Sequence, residues 1–460
     1  MTNFRNLINT LSPSETSFVR LVDALDGQAW IVGGAVRDAV CGRTFHDIDL
    51  EVSGVSVETL ESLPNWNVIP AGDRFGVWLV SSANGTHSGN TFEVCLPHVR
   101  IRTGAGRMDE VAIIDPDLPI DVSLGRRDFT CNAMAVNAVT GELVDPFDGR
   151  TDLLDGILRA INADNFADDP VRVLRGMRFA STHGLTPSTE TVQAASENVA
   201  GGIHLDDNRQ RQEWVKWAGG AHPHLGIQFL RDAGWLVHWP ILGNLDGIEQ
   251  HPEWHPEGDV LTHTILALQA LNNSNPVAVW ATLLHDIGKA QVQDVDGTAH
   301  GHDDVGADMV PDFFRSIGFQ WSTSPEWVQA VVAIVREHMR HVSWQVEPTR
   351  KAVRRLARDL EPATVREWAS VCLADMGGRG TRVDNNDDMV MWAVEIASRQ
   401  NVLDESPQSI IMGRHLIEAG FTPGRHMGEI IQAADREHLD CPFDDVADGM
   451  KWVLENFKVR

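Results

Sequence analysis

The 460-residue chain contains no tyrosine, which removes phenolic acid–base chemistry and tyrosine base-stacking from its options. Cysteine is scarce and odd in number: Cys41, Cys95, Cys131, Cys372 and Cys441 lie far apart and form no C-x-x-C pair. That pattern argues against a disulfide framework or zinc knuckle and for reduced thiols in a cytoplasm. No apolar run approaches the roughly 20 residues that would span a bilayer. The opening "MTNFRNLINTLSPSETSF" also lacks the basic start and apolar stretch of a signal peptide, so a cytoplasmic protein with no membrane partner is expected. Basic residues are few, 38 Lys and Arg against 65 Asp and Glu, for a net charge of −27. A polyanionic ligand would therefore have to be held by local patches, because phosphate binding rests on Lys and Arg. Neither an internal repeat nor a low-complexity tract is present.

The remaining composition, 43% hydrophobic and 22% charged, is that of a soluble globular protein. At about 100–200 residues per domain the length implies three or four domains. Between residues 28 and 147, short β-rich runs alternate with turns: "AWIVGG", "DIDLEV", "WNVIP", "GVWLVSS", "TFEVCL", "NAMAVNA" and "LVDPF". Beyond Thr151 the spacing of apolar residues becomes helical, as in "DPVRVLRGMRFASTHG", and stays so almost to the end. The expected architecture is an α/β head with a mixed sheet, followed by an all-α body.

The densest stretch is "GGAVRDAVCGRTFHDIDLEV", residues 33–52. Asp47 and Asp49 are two apart, and in a strand alternate residues share a face, so both carboxylates would project together. Paired carboxylates repel unless a cation lies between them, and Mg²⁺ is the hard ion that shares oxygen ligands with phosphates. Gly33 and Gly34 would let the backbone approach a triphosphate, with the following helix aiming free N–H groups at it. Arg37, in the first turn of that helix, adds a charged donor.

This segment resembles the first motif of the tRNA nucleotidyltransferase and poly(A) polymerase family, in its bacterial-type class. Three further stretches match in order: "RRDFTCNAMA" (126–135), "LVDPFDGRTDLLDGILRAI" (143–161) and "FADDPVRVLRGMRFAS" (166–181). The resemblance implies template-independent addition of CCA to the 3′ end of tRNA from CTP and ATP by two-metal nucleotidyl transfer, with two Mg²⁺ ions held by Asp47 and Asp49. It implies that Arg127 and Asp128 help select a ribonucleotide. Asp169 and Arg172 would read the incoming base, one accepting and the other donating hydrogen bonds. Asp168 stands where the family more often has Glu. Arg175 and Arg178 would hold the primer end. Glu93, in "TFEVCL", is a candidate third carboxylate. The stretch 96–114 corresponds to a loop that switches specificity in the family; it keeps Arg100, Arg102 and Arg107 but reads "PHVR" and "GAG" where relatives are richer in arginine and carry Gly-Pro-Gly.

In the helical body, "EGDVLTHTILAL" (257–268) and "ATLLHDIGKA" (281–290) carry a histidine followed by an adjacent His-Asp pair, the signature of the HD metal-dependent phosphohydrolase superfamily. By that resemblance His263, His285, Asp286 and Asp375 are the core ligands, with His302 and His338 behind them. Imidazoles and carboxylates from separate helices suit a mono- or dinuclear centre for a divalent transition metal such as Ni, Mn, Co or Fe. "HPEWH" (251–255) has histidines four apart, but its prolines indicate a linking loop rather than a zinc pair. In "TRKAVRRLARDL" (349–360), Lys351, Arg354, Arg355 and Arg358 form one basic stripe opposite Val353, Leu356 and Leu360, a surface for RNA phosphates.

Together these readings divide the chain into a nucleotidyltransferase head (1–150), a helical neck with template and RNA-binding segments (151–250), an HD helical domain (251–395) and a helical tail (396–460). Two alternatives remain open on sequence alone: a poly(A) polymerase or a partial CC- or A-adding enzyme, and an HD phosphohydrolase whose head only binds RNA.

Overall fold

The computed structural model describes residues 4–459 apart from 46, 73–75, 84–90, 103–109, 273–274, 293–297, 380–386, 442 and 444. The β-rich runs form strands β1 (Gln28–Val32), β2 (Asp49–Ser53), β3 (Trp66–Gly72), β4 (Val77–Ser82) and β5 (Phe92–Cys95). A separate hairpin follows, β6 (His98–Arg102) with β7 (Glu110–Ile114), and then β8 (Ala135–Asn137) and β9 (Leu143–Val144). Seven of these build one sheet in the order β3-β4-β5-β2-β1-β8-β9. It is mixed: β2 and β5 run parallel while the other neighbours are antiparallel. Strand β1 is central and buried along four consecutive residues, which explains its unbroken apolar sequence.

Helix α1 (Pro13–Ala24) begins at a capping box between Ser12 and Glu15 and buries Phe18 against Trp66 and Phe92 of the sheet. On the other side Trp30 and Val32 pack with Leu124, Ala133 and Ala135. The short helix α2 (Gly34–Val40) follows β1 directly. Helix α3 (Val171–His183) presents an apolar face that includes Val173, Leu174, Met177 and Phe179, and it ends at Gly184 in the left-handed conformation.

The chain divides into two units, Met1–Trp217 with Leu225–His238, and Ala218–His224 with Trp239–Arg460. The first holds the mixed sheet, α3 and most of α4 (Asp207–Ala218); the second is helical, as the sequence pattern indicates. Its inner helix α5 (Val260–Ala270) is capped by Asp259 and buries Val260, Leu261, His263, Ile265 and Leu268. It packs on α6 (Pro276–Leu284) and α10 (Val365–Gly378), and between these in the chain come α7 (His302–Ser316), α8 (Glu326–Glu337) and α9 (Arg350–Asp359). Near the C-terminal end, α11 (Arg425–Asp440) contributes Met427 and Ile430 to a small apolar cluster with Leu416, Phe421 and Val453.

Candidate functional site

In the first unit, β1 and β2 pair so that Val32 stands opposite Asp49. The chain therefore leaves β1 through Gly33–Gly34 right beside a carboxylate. Gly33 has φ +71°, and a Cβ there would lie 3.3 Å from Arg127 Nη1 and 3.4 Å from Asp49 Oδ2. Only glycine lets that guanidinium and that carboxylate share bare backbone without strain. A cavity of about 530 Å³ opens here, and Gly33 and Gly34 form part of its wall.

Six arginines line it: Arg37, Arg126, Arg127, Arg172, Arg175 and Arg178. Three of them gather around one ring, with Arg37, Arg175 and Arg178 placing their guanidinium carbons 5.3, 5.5 and 4.0 Å from the centre of Phe179. Carboxylates fix their directions. Arg175 Nε lies 2.5 Å from Asp128 Oδ2, and Arg178 Nε lies 2.5 Å from Glu213 Oε2. Arg37 donates to Asn132 Oδ1 at 2.9 Å and to Asp38 at 3.0 Å. Asp128 also accepts from the Phe129 N–H and the Asn132 amide, each at 2.9 Å. Burial alone would raise its pKa, but the Arg175 charge and these bonds hold it well below the ordinary carboxylate range. The same burial pushes the thiol of Cys95, another wall residue, up to about 12, so it is no nucleophile at neutral pH.

Of the head residues singled out from sequence, Gly33, Gly34, Arg37, Asp49, Arg127, Asp128, Arg172, Arg175 and Arg178 all line this cavity. Asp47, Glu93 and Asp169 are not among its walls. Strand β2 begins at Asp49, so Asp47 lies in the irregular lead-in and is exposed rather than sharing a strand face. It is nevertheless close enough to act electrostatically. Burial raises the Asp49 carboxyl, the charge of Arg127 opposes that, and Asp47 raises it further. Two carboxylates that repel in this way have the donor chemistry of a hard-cation site. Glu93 is exposed in β5, one residue before Val94, which pairs with Leu50 of β2.

Asp169 departs most from expectation. It precedes Pro170 and the start of α3 instead of sitting inside the helix, and Arg209 of α4 grips both its oxygens at 2.8 and 2.7 Å. Arg172 turns instead to the Arg126 carbonyl at 2.9 Å. Sequence reasoning missed Arg209, 40 residues away and outside every motif. It also missed Glu51, whose Oε2 lies 3.4 Å from Arg127 and which the alternation from Asp49 could have revealed. The switching stretch 96–114 contains β6 and β7, but Arg107 and the side chains of Arg100 and Arg102 fall outside the described residues.

The second unit holds another cluster. His263 comes from α5, His285 and Asp286 follow α6, His302 opens α7, His338 follows α8 and Asp375 lies in α10. All six are buried, and they converge. His263 Nε2 lies 2.9 Å from Asp375 Oδ1, and His285 Nε2 lies 3.2 Å from Asp286 Oδ2. On the other oxygen of Asp286, His302 Nε2 stands at 3.2 Å and His338 Nε2 at 3.9 Å. Two triads suited to a metal ion result, His263–His285–Asp286 and Asp286–His302–His338, sharing the aspartate. His285 Nε2 is buried without a hydrogen-bond partner of normal geometry, as expected of an atom reserved for a ligand. His338 is held neutral, near 3, by burial and by the neighbouring His302 and His285, while both aspartates lie well below the ordinary range. His263 and His302 are pushed the other way: burial lowers them, but their bonds to Asp375 and to Asp286 raise them overall. Imidazoles around anionic carboxylates are the donor set of a divalent transition metal. Lys289, unmarked by sequence reasoning, bonds both Asp286 Oδ2 and Gln250 Oε1 at 2.7 Å.

The basic stripe on α9 is less open than its sequence suggests. Lys351 and Arg355 both turn to Asp440 at the end of α11, at 2.8 and 2.7 Å, and Arg358 pairs with Asp359 at 2.7 Å. Arg354 is only 8% exposed, so it belongs to the helix's inner edge and not to a free cationic row.

Residues 29–159 match the poly A polymerase head domain family, and residues 260–375 match the HD domain family. The multifunctional CCA protein of Halorhodospira halophila is 33% identical over 365 residues, 76% of this chain and 84% of the relative. That of Neisseria gonorrhoeae is 32% identical over 365 residues, 77% of this chain and 85% of the relative. Among solved structures, the CCA-adding enzyme of Bacillus stearothermophilus in complex with CTP superposes with a TM-score of 0.63 at 20% identity, covering 97% of this chain and 98% of that one. The Thermotoga maritima CCA-adding enzyme complexed with tRNA gives 0.61 at 20% identity, covering 99% of both chains. The nucleotidyltransferase head and HD-bearing helical body are thus a shared fold. With relatives this similar over this much of its length, the chain belongs to the family of multifunctional CCA proteins.

Proposed function

We propose that the protein is a tRNA nucleotidyltransferase that adds CCA to the 3′ end of tRNA from CTP and ATP without a nucleic-acid template. The observation that carries this is the arginine-lined cavity beside Gly33–Gly34 and Asp49, where fixed positive charge faces an acidic corner. Asp47 and Asp49 would hold Mg²⁺, with Glu93 as a third carboxylate alongside. When bound, the ion supplies the charge that activates the primer 3′-hydroxyl and neutralises the departing pyrophosphate.

The chain's own residues do the positioning, which is most of what phosphoryl transfer needs. Gly33 and Gly34 let the triphosphate lie against backbone, and Arg37 meets its charge. Arg127 and Asp128 select the ribose, and Asp169 with Arg172 offers an acceptor and a donor to the base edge. Arg175 and Arg178 hold the primer end. Lys351, Arg354, Arg355 and Arg358 lie on the helix proposed to meet the RNA backbone.

The second cluster supports hydrolysis of a phosphoester at a centre for Ni, Mn, Co or Fe, held by His263, His285, Asp286 and Asp375 and completed by His302 and His338. Cytoplasmic placement fits the five unpaired thiols. The test is extension of a tRNA lacking CCA with Mg²⁺ and CTP alone, ATP alone, or both. Three added nucleotides only in the presence of both triphosphates is the expected result; a long adenylate tail, or no product from folded protein, overturns the reading.

A further inference from the structure

The four histidines of the helical-unit cluster are not held alike. His285, His302 and His338 each turn Nδ1 to the main-chain carbonyl three residues earlier: Thr282 at 2.8 Å, Ala299 at 2.7 Å and Val335 at 2.6 Å. These neutral acceptors fix the Nδ1–H tautomer and leave Nε2 facing inward. His263, fully buried on α5, instead directs Nδ1 at Glu257 Oε1, 2.6 Å away. Glu257 lies in the turn before α5, at the first position of the stretch 257–268, where the sequence marks only His263. Its side chain is 4% exposed, and the same oxygen meets His255 Nδ1 at 2.9 Å. The two imidazole rings stand edge to face at 4.8 Å. The other oxygen, Oε2, is buried with no hydrogen-bond partner.

A buried carboxylate is costly unless the group it serves gains from it. Here that group is a ligand imidazole, and an anionic acceptor on the far nitrogen both orients such a ring and strengthens its near nitrogen as a donor. We propose that Glu257 is a positioning residue of the HD centre: it holds His263 with Nε2 toward Asp375 and Asp286 and makes it a stronger ligand than the three histidines held by carbonyls. This rests on the reading of that cluster as a metal centre. His255 meets the same oxygen from the partly exposed side and packs its ring on His263.

The test uses the full chain, stripped of metal and titrated with Co²⁺ in excess Mg²⁺, read by the visible d–d absorption and by calorimetry, with Asp286→Ala as the blank. Glu257→Gln keeps the shape and removes the charge. It should weaken Co²⁺ binding by about 10–100-fold and alter the band. Glu257→Asp, which keeps the charge, should fall between it and the wild type. His255→Ala should stay within about threefold of the wild type, because the Glu257–His263 contact survives. CCA addition and melting temperature report folding in every variant, since Glu257 lies outside the head.

Unchanged affinity and spectrum in Glu257→Gln overturn the proposal, as does Glu257→Asp binding no better than Glu257→Gln. Equal loss in His255→Ala, or a Co²⁺ equivalent that His255→Ala and Glu257→Gln both remove and Asp286→Ala keeps, overturns it in favour of an ion held by His255, Glu257 and His263 themselves. If Glu257→Gln fails to fold, Glu257→Asp against His255→Ala decides between the same outcomes. A wild type that adds CCA but takes up no more Co²⁺ than the blank sinks the metal reading and leaves nothing for Glu257 to position.

Discussion

Single side chains in the head cavity do two jobs, because an arginine that faces a ligand must also be held still. Asp128 illustrates the cost. It is 5% exposed at the side chain and accepts from Arg175, Asn132 and the Phe129 N–H. Its carboxyl lies well below its ordinary value near 3.8, so its contribution to stability is fully present above about pH 4 and is lost as pH falls through the folded-state value. Asp128→Asn should therefore lower stability by about 1–3 kcal/mol at pH 7. The lower part of that range is favoured because Arg175 keeps 35% of its side chain in solvent. The gap in melting temperature between wild type and variant should shrink below pH 4. Thermal unfolding followed from pH 7 to pH 2.5 checks this, and a gap independent of pH would show that the charge of Asp128 is irrelevant to the fold. Arg209 and Asp169 pose the same question for specificity, since a base-reading carboxylate gripped at both oxygens must share them with any base it meets.

At the scale of elements, α9 and α11 are joined through Asp440, on which Lys351 and Arg355 converge. An aspartate that pairs with two cations competes with any phosphate offered to them. Asp440→Asn should free both cations, tighten tRNA binding severalfold at low salt, and steepen the fall of log affinity with log salt by about one to two. Filter binding over a KCl series measures both quantities. If neither changes while Lys351→Ala with Arg355→Ala is also silent, α9 is not a phosphate-binding surface. The sequence makes α9 itself legible, because Val353 and Leu356 fall at core spacing and are buried. It cannot show that Asp440, 85 positions beyond Arg355, would neutralise the stripe. The same limit governs the sites. His263, His285, Asp286, His302, His338 and Asp375 are readable through the resemblance to the HD superfamily, which the histidine and the adjacent His-Asp pair of the quoted stretches carry. Lys289 stands inside a quoted motif yet goes unmarked, since only the fold puts Gln250 on its other side. Glu257 opens a quoted stretch and goes unmarked for the same reason, while His255 reads as part of a linker. The strands of the head are legible from apolar alternation, whereas the start of β2 at Asp49 is a boundary that periodicity does not fix.

For the whole molecule, the net charge of −27 and a polyanionic substrate are compatible because the positive charge is concentrated. Six arginines share one cavity, while over the whole chain 65 acidic residues outnumber 38 basic ones. Each compact unit holds its own candidate acidic ligands, Asp47 and Asp49 in the first and Asp286 and Asp375 in the second. The described residues of the two sets share no side chain, hydrogen bond or ion pair among those found at either site. Removing one set should therefore leave the chemistry of the other intact. Asp47→Ala should reduce nucleotide addition by at least 10³-fold, since it takes away a carboxylate on which cation binding and transition-state charge depend. Hydrolysis of a generic phosphoester in the presence of Ni²⁺ or Co²⁺ should stay within about twofold of wild type. Asp286→Ala should do the reverse, because the aspartate shared by both triads is lost while the arginine-lined cavity is untouched. Both variants, assayed for both reactions on one preparation with matched melting curves, give a two-by-two result. Loss confined to the diagonal means two independent centres on one chain. Loss of both activities in either variant, with folding preserved, would mean that addition and hydrolysis draw on one set of carboxylates, and the assignment of separate chemistry to each unit would fall.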